Sequence, residues 1–131
     1  MARRRKANPA MFVTFNTSDS SIVAGDLVAV DTLNDNSVIR ADASDSVKMP
    51  AIGIAKSVRS SSIVVQLDYI YTLPSGYGVA VSCGQELYAD PSSPGKITTS
   101  IPSTGILQKV GVGKKATNKI LLSIDNFSLT L

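Results

Sequence analysis

Four aspartates stand at matched places in this chain. Asp31 and Asp90 end the segments GDLVAVD (25–31) and GQELYAD (84–90). Asp68 and Asp125 end IVVQLD (63–68) and ILLSID (120–125). Two carboxylates held together could perform the acid–base work of glycoside hydrolysis. An aspartate at a strand end has a simpler use, accepting hydrogen bonds from the turn backbone. A repeated segment places it twice for that reason alone, and the turn role is the one expected here. The other tools of catalysis are missing. The chain has no histidine, so no serine has a base to activate it and Cys83 has no imidazole partner. Cys83, between Ser82 and Gly84, reads as a small half-buried residue. Asp26, Asp31 and Asp35 lack the spacing of a calcium loop, and a single cysteine without histidine cannot build a zinc site. Pro74-Ser75-Gly76-Tyr77-Gly78 lacks the Lys-Ser/Thr ending of a phosphate loop and reads as a turn. The expectation is a chain that is not an enzyme and has no catalytic, cofactor-binding or metal-binding residues.

The elements around these aspartates repeat. IGIA (52–55) is echoed by VGVG (110–113), and the three matched blocks lie 59, 58 and 57 residues apart in the same order. In a strand alternate side chains share a face. Ile63, Val65 and Leu67 therefore share one, as do Ile120, Leu122 and Ile124. Val28 and Val30 match Leu87 and Ala89. Gly53 and Gly111 fall inside strands, where glycine marks a bulge or a close backbone approach, so two matching corners are expected. This is the signature of an internal duplication.

Short strand-like runs near 11–15, 27–31, 37–41, 50–58, 62–73, 78–82, 85–89, 95–99, 105–113 and 118–125 alternate with turn formers such as Asn34-Asp35-Asn36 and Asp90-Pro91-Ser92-Ser93-Pro94-Gly95. No stretch carries a sustained helical period, and Ala41 to Lys48 allows one helical turn at most. The fold class expected is all-β, a small β-barrel or sandwich of two similar halves with an extended N-terminal arm. The arm spans residues 1–21, the barrel-like domain 22–131, and the half-repeats about 22–73 and 78–131. Tyr69 and Tyr71 continue the row of Ile63, Val65 and Leu67. They are expected in the core rather than on a base-stacking surface.

A chain of 131 residues suits one domain with a core of its own. No apolar run approaches the roughly 18–20 residues that span a membrane. The basic start is followed by Asn8 and Pro9 rather than an apolar stretch, so no signal peptide is expected. A free thiol suits synthesis in a reducing cytoplasm. The net charge of +3 comes from thirteen basic and ten acidic side chains. Arg3, Arg4, Arg5 and Lys6 hold four of the thirteen; without them nine face ten, a net of −1. The basicity is thus a tail on a nearly neutral body. Lys109, Lys114, Lys115 and Lys119 read as a solvated face. The arm could dock on a neighbouring protein and order there. Binding nucleic acid is the weaker reading, since few phosphate contacts give salt-sensitive affinity.

GQELYAD, PGKITT (94–99), GILQKVGVG (105–113) and ILLSID together resemble a module of tailed-phage structural proteins, among them small head decoration, or cement, proteins. GDLVAVD and PAIGIA resemble the companion unit. The likeness covers roughly residues 22 to 126. It departs at Gly113-Lys114-Lys115-Ala116, where members often show Ala-Leu-Ser-Ala. The resemblance carries no catalytic residues. It implies a virion protein of the capsid surface, made in the host bacterial cytoplasm, that binds the major capsid protein and self-associates as trimer or dimer. Arg3, Arg4, Arg5, Lys6, Met11, Phe12, Val13 and Phe15 would form the capsid-binding arm, with residues 11–15 adding as a strand to a neighbour's sheet. A tail, head-fibre or baseplate attachment module is the alternative in the same setting. A single-stranded nucleic-acid-binding barrel is the alternative from another class.

Overall fold

The computed structural model describes residues 10–115, 118–125 and 127–131. It is all-β, with twelve strands among the described residues: β1 (Phe12–Asn16), β2 (Leu27–Val30), β3 (Val38–Arg40), β4 (Ala51–Val58), β5 (Ser62–Gln66), β6 (Asp68–Thr72), β7 (Glu86–Ala89), β8 (Ile97–Thr98), β9 (Ile106–Leu107), β10 (Lys109–Lys115), β11 (Lys119–Ser123) and β12 (Leu129–Thr130). One short 3-10 turn, Ser46–Lys48, is capped by the Asp45 side chain. Two antiparallel five-stranded sheets pack in a sandwich-like arrangement. Their orders are β1-β5-β4-β2-β3 and β6-β11-β10-β7-β8, and β9 pairs with β12 apart from them.

The two orders are the same order. β1 corresponds to β6, β5 to β11, β4 to β10, β2 to β7 and β3 to β8. The duplication therefore begins earlier than residue 22. Residues 12–16, expected in an arm outside the barrel, are an edge strand of the first sheet, paired from Phe12↔Gln66 to Asn16↔Ser62. Their counterpart is β6. Sequence alone hid this because the expected strand 62–73 is two strands in different sheets, parted at Leu67. The expected strand at 78–82 is not one, and β12 was not anticipated.

Local chemistry explains the repeated blocks. Gly25 and Gly84 both take positive φ, +96° and +78°, which glycine adopts without penalty. Gly25 N–H donates to Ala55 O and Ala55 N–H to Asp26 O; Gly84 N–H donates to Gly113 O and Gly113 N–H to Gln85 O. Asp26 accepts from Val23 N–H, and Gln85 accepts from Ser82 N–H. The Gly-Asp and Gly-Gln pairs are thus one turn built twice. Against β2, the register of β4 shifts by one residue at Ile52; against β7, β10 shifts at Val110. These bulges adjoin Gly53 and Gly111, the two expected corners. A Cβ on Gly53 would lie 2.5 Å from Gln66 O, and one on Gly111 2.5 Å from Leu121 O.

The last pair of strands is slipped. Ile54 faces Gln66, while its counterpart Val112 faces Leu121, an offset of 55 (121 − 66) rather than 57. A slip of two residues keeps every side chain on its face, so Ile63, Val65, Ile120 and Leu122 are all buried. The first half has an apolar cluster to itself, formed by Ile22, Val28, Val38, Ala55, Ile63 and Val65. The counterparts Val81, Leu87, Ile97 and Ile120 belong to a larger cluster that also takes in Leu27, Ala29, Ala51 and Ile54 from the opposite face of the first sheet. That second face joins the halves. Val30, expected beside Val28, is exposed instead.

Candidate interaction surface

The aspartates considered for catalysis serve the backbone. Asp31 accepts from Leu33 N–H and the Asn34 amide, Asp90 from Ser92 N–H and Asp125 from Phe127 N–H. Asp68 accepts from Met11 N–H. The bond from Asn34, then that from Leu33, hold the Asp31 carboxyl below its usual range. Cys83 is exposed and its thiol donates to Lys114 O. Among the described residues no group of three or more acidic, cysteine or histidine side chains could hold a metal. No helix among the described residues is long and apolar enough to cross a membrane.

Arg3, Arg4, Arg5 and Lys6 lie outside the described residues. The four apolar residues expected beside them divide. Phe15 packs against the cluster of Val28, Ile63 and Val65, and Val13 is half-buried. Met11 and Phe12 are exposed. Met11 stands next to the crossing between the sheets, accepting from Leu67 N–H and donating to Asp68.

The crossing is strained at Tyr69, whose φ is +78°, a region that bulky residues avoid. Gln66, itself buried, holds the kink: its Nε2 donates to Asp68 O at 2.8 Å and Ile70 O at 3.0 Å, the carbonyls on either side. Tyr71 is buried as expected, but Tyr69 is 38% exposed, because the kink turns it out of the row. Neither the kink nor Gln66 was anticipated. A glutamine closing an apolar run was the visible signal.

Beyond the crossing, the outer face of the second sheet carries an apolar row. Ile70 pairs with Leu121, Leu121 with Val112, and Val112 with Glu86. Leu121 is exposed and Ile70 and Val112 half-exposed. The run Ile120-Leu121-Leu122 contained this signal, since three successive aliphatics put one on the outer face. The row ends in an ion pair: Glu86 meets Lys109 Nζ at 3.2 Å and accepts from the Tyr88 hydroxyl at 2.7 Å. The bond from Tyr88, then Lys109, hold the Glu86 carboxyl below its usual range.

No protein-family model matches the chain, and no curated protein matches it. Among solved structures, the fold is similar to a chain of the capsid of Myoviridae phage XM1. The TM-score is 0.56 and the identity 21%, over 95% of this chain and 89% of that one. At that identity the likeness is one of fold.

Proposed function

We propose that this chain is a structural component of a tailed-phage virion, a decoration or cement protein that binds the assembled capsid and reinforces it without catalysing a reaction. The observation that supports the reading is the fold likeness to a chain of a phage capsid, which spans nearly the whole of both chains. A fold by itself does not imply a function, so the reading rests also on the resemblance of residues 84–125 to phage structural modules. The partner is the major capsid protein. Many copies each burying a modest apolar area would reinforce the shell, at roughly 25 cal/mol per Å² before ordering costs.

The docking mode follows the strand pairing. Residues 12–16 already pair with β5 along one edge, so they belong to the body rather than to a free arm. Contact falls to residues 1–11 and to exposed Phe12, with the arginines adding electrostatic steering more than affinity. Co-sedimentation with expanded empty capsids tests this, using the full chain and a version lacking residues 2–10, which spares β1. The full chain is expected to bind and the shortened one to bind weakly. Equal binding by both moves the contact to the body. Failure of the full chain to bind capsids, with binding to single-stranded DNA instead, overturns the reading.

A further inference from the structure

The two halves use one face differently. In the first half the cross-strand row is Phe12, Gln66, Ile54 and Leu27; Ile54 and Leu27 are wholly buried in the cluster shared with the second half. The corresponding row in the second half is Ile70, Leu121, Val112 and Glu86. It keeps three aliphatic residues, none of which belongs to either buried cluster or packs against one. Aliphatics aligned directly across three strands, the central Leu121 exposed and Ile70 and Val112 half-buried, are costly to leave in water and invite another sheet.

The charges around the row narrow what that sheet can be. On the hairpin side lies Lys119, paired with Thr72 and donating to its hydroxyl at 3.2 Å. On the opposite side lies exposed Asp68, paired with Ser123. Along β6 and β11 the face reads positive, apolar, negative; on β10 Lys109, on the Asp68 side of the row, is held by Glu86. Such a pattern is complementary to itself when a second copy lies on it with strands antiparallel. A two-fold axis along the row then sets Leu121 on Leu121 of the second copy and brings each Lys119 towards the other copy's Asp68. With the strands parallel, Lys119 would meet Lys119. Glu86, at the end of the row, has Lys109 and Tyr88 to offset its twin.

We infer that the outer face of the second sheet, centred on Ile70, Leu121 and Val112, is a two-fold interface between two copies of this chain. It is an isologous contact with the aligned geometry of packed sheets, and it stands whether or not the chain binds capsids.

Sedimentation equilibrium on the full chain tests it, with circular dichroism confirming the fold of each variant. The native chain is expected to dimerise. Leu121→Asp, which buries an unpaired charge in the contact, is expected to weaken dimerisation by about tenfold or more. Lys119→Glu and Asp68→Lys should each weaken it, and the two together in one chain should restore it. A native chain that stays monomeric overturns the inference. So does a dimer that Leu121→Asp leaves intact, or a charge-swapped chain no tighter than the single variants.

Discussion

Gly53 and Gly111 show how little room a residue has at the corners of this fold. In both, the space of a missing Cβ is taken by a backbone carbonyl of the neighbouring strand, Gln66 O or Leu121 O. A carbonyl in a ladder cannot swing aside as a side chain can. Gly53→Ala and Gly111→Ala are each expected to cost about 1–3 kcal/mol, the range for overpacking. Gly76 makes the contrast. Its φ is positive but nothing lies within 4 Å of the Cβ position, so Gly76→Ala should cost only about 1 kcal/mol. Urea denaturation of the three variants checks the order. If the corner glycines tolerate alanine better than Gly76 does, the close approach is not what selects them. The same scale accounts for the aspartates. Their place at strand ends was legible because turn chemistry is local.

At the scale of elements, the joints between strands are fastened by buried glutamines. Gln108 lies between β9 and β10 and is 1% exposed. Its Nε2 donates to Ala51 O and Asp125 O, and its Oε1 accepts from Ala51 N–H, all within 2.9 Å. One amide thereby splices the start of β4, in the first half, to two segments of the second. Gln108→Leu leaves two buried backbone groups of Ala51 and a part-buried one of Asp125 without that partner. It is expected to destabilise by about 2–4 kcal/mol, since an unpaired buried group costs about 1–3. It should also speed hydrogen exchange at the Ala51 amide more than at amides within β11. Uniform acceleration would mean that Gln108 acts on global stability alone. Neither role is legible in the sequence, where each glutamine looks like an ordinary polar residue flanking a strand. Their partners are 57 residues away for Ala51 and only two and four for Asp68 and Ile70. The separation hid the first role and the unforeseen kink hid the second.

For the whole molecule, the halves are joined by more than apolar contact. Leu27 N–H donates to Gly95 O, Gly95 N–H to Ala41 O and Ile106 N–H to Ala43 O. Beside them buried Asp26 meets Lys96 Nζ at 3.1 Å, with the lysine side chain 35% exposed, and that ammonium lies 5.0 Å from the Tyr77 ring centroid. Lys96→Met strands a buried carboxylate. A fully buried pair broken this way costs about 3–5 kcal/mol; with one partner a third in water, about 2 kcal/mol is expected. Asp26→Asn in the Lys96→Met background should recover part of it, as thermal unfolding of the four chains can show. No recovery would place the effect in packing against Tyr77 rather than in charge.

The all-β class, the duplication, the paired corners and the backbone role of Asp31, Asp90 and Asp125 were legible in the residues themselves. Each follows from alternation, glycine placement or turn bonding within a few positions. The strand role of residues 12–16, the break at Leu67, the outward turn of Tyr69 and the second buried face of the first sheet were not. They depend on which strand lies beside which, and alternation assigns two faces to a strand without saying whether one or both will be covered. In the first half both are buried, because the second half packs on Leu27 and Ile54. In the second half the matching face leaves Leu121 exposed and Ile70 and Val112 only half-buried, and that difference arises only once the halves have met.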